Sequence, residues 1–299
     1  MAVPSLLAPR EFRLGGVVHD LTDRVLVAGI LNRTPDSFFD RGATFGLDGL
    51  LRRAAVLVDQ GADLLDVGAV AADPGPEVDP AEELDRLVPA IEALRSRFDV
   101  PISADTWRAD VLDEALRAGA VVGNDISGFA DPDYLSVAAR HGASVVAAHV
   151  RLAPRVPDPE PVYDDLVADV AGFLVDRAAR AEGAGLTRDR IAVDAGLDHG
   201  KTPAMSAVLL RESARFADLG YTLLLSASNK RFLGELLDLA IDDRREVSLA
   251  SVAYGVLQGC RIVRVHDVAG TVKVCRTLEA VLAERAQTLA PTPTSGAAT

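Results

Sequence analysis

The feature of this 299-residue sequence that most constrains its fold is a unit that recurs eight times: a short apolar run, a polar turn and a helical stretch. Each apolar run is shorter than an ordinary helix and is bounded by turn residues, as is typical of a buried strand. The helical stretches repeat apolar residues with the helical period, for example at Leu166, Val170 and Leu174. The eight runs are 24–31, 63–68, 101–105, 120–124, 143–148, 190–194, 221–226 and 261–265. Several helical stretches end in glycine, a residue that readily closes a helix, at Gly61, Gly119, Gly142, Gly220 and Gly259.

Continuously apolar strands that alternate with helices favour parallel pairing, and eight such units predict an α/β fold that closes into a (β/α)8 or TIM barrel. A doubly wound open sheet is the alternative. Residues 12–21, with Gly15 and Gly16 at their centre, predict a short N-terminal hairpin that covers the bottom of the barrel. We expect one barrel domain over 1–285, with 1–24 as the hairpin cap. Residues 286–299 almost lack large apolar side chains, which predicts a disordered tail.

Charge and cysteine usage exclude several classes of protein. The sequence has 31 Lys and Arg against 44 Asp and Glu, a net charge of −13, which opposes binding to nucleic acid or to an anionic membrane. Cys260 and Cys275 stand outside any CxxC or Cys/His cluster, so we expect buried thiols rather than a disulfide framework or a zinc site. Neither a signal-peptide pattern nor a long apolar run is present, which predicts a cytoplasmic protein.

Polar residues follow nearly every apolar run, where a barrel places the carboxyl ends of its strands and its catalytic groups. Each of them alone could be a helix N-cap, and that interpretation stays open for Asp66, Ser127 and Ser228. Together they predict a polar site at one end of the barrel, which we call the barrel mouth. They are Asn32, Asp66, Asp105, Asn124, His149, Asp194, Ser228 with Lys230, and Arg264 with His266.

Two kinds of group meet at this mouth. The carboxylates and amides suit a flat heterocycle with several hydrogen-bonding groups, whereas Lys230, Arg264 and His266 suit an anion such as phosphate or diphosphate. The alternative is that Lys230 and Arg264 pair with nearby acidic residues.

Taken together, these residues resemble dihydropteroate synthase over about 12–285, with the motifs in the order of that family. The resemblance rests on Ile30 through Phe38, Asp66-Val67-Gly68, Ser103-Ala104-Asp105-Thr106, Asn124 through Gly128, Asp194 through Lys201, Ser228-Asn229-Lys230 and Arg264-Val265-His266-Asp267. It implies a transferase that joins 6-hydroxymethyl-7,8-dihydropterin diphosphate to p-aminobenzoate and releases diphosphate.

By matched position, the resemblance implies roles for seven of the mouth residues. Asp105, Asn124, Asp194 and Lys230 would bind the pterin, and Arg264 and His266 the diphosphate. Asn32 would help to bind diphosphate and Mg²⁺. The catalytic set would be Asp105, Lys230, Arg264 and His266, because a carboxylate favours the cationic pterin methylene and cations favour the departing diphosphate.

The sequence departs from the family pattern on the side that receives the amine. The family's Gly-Glu-Ser-Thr-Arg-Pro-Gly is Ala69 through Gly75, so its Thr and Arg are Ala72 and Asp73. An Asp in place of Arg reverses a charge beside two anionic substrates. The family's Ser-Arg-Lys-Ser ends here in Arg231, its aromatic before Gly-Lys is His199, and its Met before His is Ala148.

Arg33 and Arg41 stand in the first loop where the family usually has an apolar residue and Gly. We hypothesise that they and Arg231 partly restore the positive charge lost at Asp73; the alternative is that Arg33 and Arg41 are solvated loop residues. The same substitutions resemble a divergent, second-copy group of actinomycete dihydropteroate synthase homologues, which includes members without the standard activity.

Three functions remain open from the sequence. The first is an enzyme that alkylates p-aminobenzoate or another amine with a dihydropterin diphosphate. The second is a non-catalytic protein that binds pterin or pterin diphosphate, and the third is a methyltetrahydrofolate-binding methyltransferase. Retention of Arg264 and His266 favours the first two. The resemblance also implies a homodimer through the last helices, where Leu278, Val281 and Leu282 offer apolar surface.

Overall fold

A computed structural model of the protein describes residues 11–34, 44–75 and 77–288, and within these ranges the chain forms ten strands and ten α-helices. An antiparallel hairpin is formed by β1 (Glu11–Leu14) and β2 (Val17–Asp20). The parallel strands are β3 (Leu26–Asn32), β4 (Leu64–Gly68), β5 (Ile102–Asp105), β6 (Val122–Asp125), β7 (Ser144–Ala148), β8 (Ile191–Asp194), β9 (Thr222–Leu225) and β10 (Ile262–Val265).

The parallel strands close into a barrel in sequence order, with β10 pairing to β3. The predicted TIM barrel is therefore confirmed, and the open doubly wound sheet is not formed. Helices surround the barrel in alternation with the strands. They are α1 (Leu47–Asp59), α2 (Pro80–Arg95), α3 (Ala109–Arg117), α4 (Tyr134–His141), α5 (Leu166–Gly183), α6 (Pro203–Arg211), α7 (Ser213–Ala217), α8 (Arg231–Leu237), α9 (Arg245–Leu257) and α10 (Val268–Thr288).

The predicted hairpin is also confirmed, and it covers the end of the barrel opposite the mouth. Gly15 adopts a φ of 60° in its turn, a left-handed conformation that glycine adopts without strain. Phe12, Leu14 and Leu21 are at most 2% exposed. They pack against side chains inside the barrel, such as Leu26 and Ile262, which form its lower layer. Burial of this apolar surface joins the hairpin to the barrel as one core.

The main apolar core lies between the strands and the surrounding helices. Cys260 and Cys275 are both buried and unpaired there, as predicted. No described helix combines the length and apolar character needed to cross a membrane. Helix α10 continues to Thr288, three residues into the predicted tail, and the rest of that tail lies outside the described residues.

Candidate functional site

The strand register brings the predicted mouth residues together. Asp105 at the end of β5 pairs with Gly68 of β4 on one side and with Asn124 of β6 on the other. Asp194 at the end of β8 pairs with Ala148 of β7. Parallel strands in register place their carboxyl ends at the same edge of a barrel. The side chains that follow the apolar runs therefore face one mouth, as the sequence predicts.

Arg264 lies at the centre of this mouth between two carboxylates. Its Nε is 2.5 Å from Asp66 Oδ2 and its Nη2 is 2.7 Å from Asp105 Oδ2. Asn124 Nδ2 lies 3.4 Å from both Asp66 oxygens. The predicted alternative, in which Arg264 pairs with acidic residues, is thus what the structure shows. Because two carboxylates surround one guanidinium, the cluster carries an excess of negative charge when all three groups are ionised.

Burial governs the ionisation of this cluster. It raises the pKa of the Asp105 carboxyl, while the nearby Arg264 acts in the opposite direction. Burial also opposes the charge of Arg264, but Asp66 and Asp105 outweigh it and raise the pKa of the guanidinium above its usual value. Asp66 lies inside β4 and is only 2% exposed, so it is a member of the cluster rather than a helix cap.

Asp194 is held by the loop that follows β8. Its Oδ1 accepts a hydrogen bond of 2.8 Å from the Gly196 backbone N–H, and its carbonyl accepts one of 3.0 Å from His149 N–H. A β-carbon at Gly196 would lie 1.9 Å from the carbonyl oxygen of His149, so this turn requires glycine. Burial raises the pKa of Asp194, and the Lys230 ammonium counters that effect.

Lys230 contacts the same loop rather than an acidic side chain. Its Nζ donates to the Leu197 carbonyl and lies 3.1 Å from His199 Nε2. A hydrogen bond from an ammonium needs an unprotonated imidazole nitrogen as acceptor. Burial, and then the charge of Lys230, lower the pKa of His199 well below its usual value. His199, predicted to lie on the side that receives the amine, therefore contacts Lys230, predicted to bind the pterin.

Lys201 and His149 form a second pair in the mouth, and the sequence predicted no role for it. Lys201 is 3% exposed, and its Nζ lies 2.9 Å from His149 Nδ1 and donates to the His199 carbonyl at 2.8 Å. Burial, then the nearby Lys230, lower the pKa of Lys201 to about 7. Lysine occurs at only three positions in the chain, and two of them, Lys201 and Lys230, lie in the mouth. This scarcity could have pointed to Lys201 from the sequence.

His266 and Ser228 contact each other beside the Arg264 cluster. His266 Nδ1 is 3.1 Å from Ser228 Oγ, which also accepts a 3.1 Å hydrogen bond from the His266 backbone N–H. Arg53 of α1 donates to the His266 carbonyl at 2.6 Å. The structure therefore places His266 in the mouth with its ring orientation fixed by Ser228.

Asn32 and the altered residues lie around the rim. Asn32 Oδ1 and Asp105 Oδ2 lie 3.7 and 3.5 Å from the position that a β-carbon on Gly68 would take. Ala72 is half-buried and Asp73 is exposed. Burial lowers the pKa of Lys230, and Asp73 is among the acidic groups that counter this effect. The charge introduced at Asp73 therefore acts on the mouth.

The arginines proposed to compensate for Asp73 have partners of their own. Arg33 Nε donates to the Phe45 carbonyl at 3.1 Å, and its Nη1 donates to the Arg86 carbonyl. Arg231 is 65% exposed and pairs with Glu235 at 3.2 Å. Exposed pairs of this kind are weak, so Arg231 remains able to reorient. Arg41 lies outside the described residues.

The chain is similar to known proteins over most of its length. The family model described as pterin binding enzyme matches residues 28–266. Dihydropteroate synthase of Bacillus subtilis is 40% identical over 262 residues, 87% of this chain and 90% of the relative. A protein named inactive dihydropteroate synthase 2 of Mycobacterium leprae is 42% identical over 272 residues, 89% of this chain and 94% of the relative. Yersinia pestis dihydropteroate synthase with a sulfonamide drug complex superposes with a TM-score of 0.87 at 37% identity, covering 92% of this chain and 99% of that structure.

Proposed function

Because the chain belongs to the pterin-binding enzyme family, we propose that it is a dihydropteroate synthase-like transferase. It would join 6-hydroxymethyl-7,8-dihydropterin diphosphate to p-aminobenzoate or to another amine and release diphosphate. The observation that carries this proposal is the convergence of Asp194, Asn124 and Lys230 on one mouth with the Asp66, Asp105 and Arg264 cluster.

Pterin recognition would use the carboxylate and amide groups of the mouth. A pterin presents amino and ring N–H donors beside a carbonyl acceptor. Asp194 would accept from the donors, Asn124 can both donate and accept, and Lys230 can donate. Asp194 is already fixed by the Gly196 N–H, so the pterin would meet an acceptor whose orientation is set in advance.

The leaving diphosphate needs positive charge or hydrogen-bond donors, which His266, Lys230 and Arg264 can supply. The donor set also fits a Mg²⁺ ion, because Asn32 Oδ1 beside Gly68 is a hard oxygen ligand of the kind that Mg²⁺ prefers. No group of three or more His, Cys, Asp or Glu side chains that could hold a metal ion exists among the residues the structure describes. Asn32 would therefore hold the ion together with diphosphate oxygens. When bound, Mg²⁺ would neutralise charge on the leaving group.

The transfer replaces one bond with another. The amine nitrogen forms a bond to the pterin methylene carbon, and the bond from that carbon to the diphosphate oxygen breaks, leaving its electron pair on diphosphate. The nitrogen then releases one proton to water. When both are ionised, Asp66 and Asp105 would stabilise positive charge on the pterin as this bond breaks, since their combined charge then exceeds that of Arg264.

A second candidate is a non-catalytic protein that binds pterin or pterin diphosphate. It is favoured by the similarity to the mycobacterial protein named inactive and by Ala72 and Asp73 on the acceptor side. The pterin-binding residues would be the same for both candidates.

A single assay separates the two candidates. The protein would be incubated with dihydropterin diphosphate and Mg²⁺, with and without p-aminobenzoate, and released diphosphate and the pterin product would be measured by mass. Dihydropteroate formed only with p-aminobenzoate supports the enzyme. Binding of pterin diphosphate without any amine-dependent product, across a panel of aromatic amines, supports the binding protein.

A further inference from the structure

The segment between β7 and α5, residues 149–165, crosses the barrel mouth; we call it the strap. At one end, Tyr163 Oη donates to the Gly200 carbonyl at 2.8 Å, in the loop after β8. Near its middle, Arg155 contacts residues that follow β4. Strands β4 and β8 are four places apart in an eight-stranded ring. The strap therefore joins loops from opposite sides of the mouth.

The strap has internal bonds that keep its shape. Arg151 pairs with Asp158 through two contacts, Nε to Oδ2 and Nη2 to Oδ1, each of 2.5 Å. A β-carbon at Gly200 would lie 2.9 Å from Arg151 Cβ, so the strap packs closely on the β8 loop. An arginine carried by such a segment has a defined position.

Arg155 is the residue of the strap that reaches the second loop, residues 69–75. Its backbone N–H donates to the Ala72 carbonyl at 3.2 Å, and its Nη1 donates to the Ala71 carbonyl. Its Nη2 lies 2.7 Å from the position that a β-carbon on Gly75 would take. The guanidinium therefore occupies space that a side chain at position 75 would fill.

Arg155 also adopts a backbone conformation that favours glycine over other residues. Its φ is 65°, in the left-handed region, where a residue with a β-carbon is strained. Arginine nevertheless occupies this position, and its side chain contacts the second loop. This combination is typical of a residue whose conformation is fixed by its surroundings.

We propose that Arg155 is a positioning residue for the acceptor side of the site. It holds the second loop, and with it Asp73, against the mouth before any substrate binds. The family pattern has Thr and Arg at positions 72 and 73, whereas this chain has Ala72 and Asp73. Arg155 contacts the middle of the loop from the strap, and Arg86 of α2 contacts its start through the Ala69 carbonyl at 3.2 Å. The kinetic consequence, a lower KM for the acceptor amine, rests on the proposed function.

The first test measures the second loop directly and does not depend on activity. A nitroxide label at Asp73→Cys reports loop mobility, because both native cysteines are buried. We expect Arg155→Gly to raise the mobility of the label strongly, since glycine keeps the backbone conformation and removes only the side chain. Arg155→Lys, which can reach one carbonyl at most, should give an intermediate spectrum. Arg211→Ala, at an arginine 65% exposed on α6, is the control and should leave the spectrum unchanged.

The second test uses chains without the label. If the protein is an active transferase, Arg155→Gly should raise the KM for p-aminobenzoate about tenfold, the effect of losing one charged hydrogen bond, while the affinity for pterin stays unchanged. An unchanged spectrum in Arg155→Gly would overturn the proposal, as would equal loosening in Arg211→Ala. A mobile loop with an unchanged KM in an active enzyme would overturn the role in acceptor binding. An inactive protein with a mobilised loop would contradict the proposed function alone.

Discussion

At the scale of single residues, Asp194 is the side chain on which pterin binding depends most. It is 6% exposed and its orientation is fixed by Gly196 N–H. We expect Asp194→Ala to reduce pterin affinity at least about 100-fold, since two or more charge-assisted hydrogen bonds would be lost. Calorimetric titration with a pterin measures this loss, with Asp176→Ala as control because Asp176 is 61% exposed on α5. Near-native affinity of Asp194→Ala would show that the pterin binds elsewhere.

The buried Lys201 predicts a dependence of stability on pH. Its pKa is about 7 in the folded protein and about 10.4 in an unfolded chain. Between these values the unfolded chain binds the extra proton, so this group makes the folded state more stable as pH rises and less stable as pH falls toward 7.

Lys201→Met removes this dependence. From pH 7 to 9 the free energy of unfolding of the native protein should rise by about 2 kcal/mol relative to that of the variant. Urea unfolding at the two pH values measures the difference. Lys273→Met, at an exposed position on α10, should follow the native protein; equal pH dependence in Lys201→Met would contradict the assignment.

The sequence was sufficient to predict most of the residues that reach the mouth, because they lie at or just after the carboxyl ends of apolar runs. It was not sufficient to predict their partners. The contact of Arg264 with Asp66 spans 198 positions in the sequence, and that of Arg155 with Ala71 spans 84. Such pairs depend on the curvature of the barrel and on loop paths, which no local pattern encodes.

At the scale of elements, we expect the hairpin to affect the stability of the protein but not its affinity for pterin. Phe12 is 1% exposed among the side chains of the lower barrel layer. Phe12→Ala should lower the free energy of unfolding by about 3–5 kcal/mol, as large-to-small core substitutions do. Pterin affinity should stay unchanged under folding conditions, because the mouth lies at the opposite end. Val17→Ala, in the same hairpin but 59% exposed, should change stability little; a similar loss there would contradict the packing role of Phe12.

The strands were predicted to within two residues because buried parallel strands are uninterrupted apolar runs. The bounds of the helices were less predictable. The segment after Thr202 divides into α6 and α7 at Glu212, although its apolar periodicity continues. Helix α10 runs to Thr288, past the point where its apolar residues end, since Ala, Glu and Gln are good helix formers.

At the scale of the whole molecule, α10 carries apolar side chains on the surface where we expect a homodimer interface. Leu278 packs against the core, but Val281 is 61% exposed and Leu282 is 37% exposed. Tyr254 on α9, a helix in contact with α10, is also 39% exposed. We propose that these side chains form the centre of a dimer interface.

A charge at the centre of this surface should separate the subunits. Val281→Asp should sediment as a monomer at concentrations where the native protein sediments as a dimer, because an unpaired buried charge is costly. Val162→Asp, at a strap residue that is 73% exposed, should leave the sedimentation coefficient unchanged. A native protein that is monomeric, or a Val281→Asp variant that remains dimeric, would exclude this surface as the interface.

The two carboxylates around Arg264 also determine how an anionic substrate approaches. Because its guanidinium is paired on both sides, Arg264 adds little net positive charge to the mouth, and the chain as a whole carries a charge of −13. A diphosphate ester therefore approaches a repulsive surface and is attracted only at short range. Added salt screens that repulsion, so the association rate measured by stopped flow should increase with ionic strength, opposite to the decrease seen for electrostatically steered enzymes.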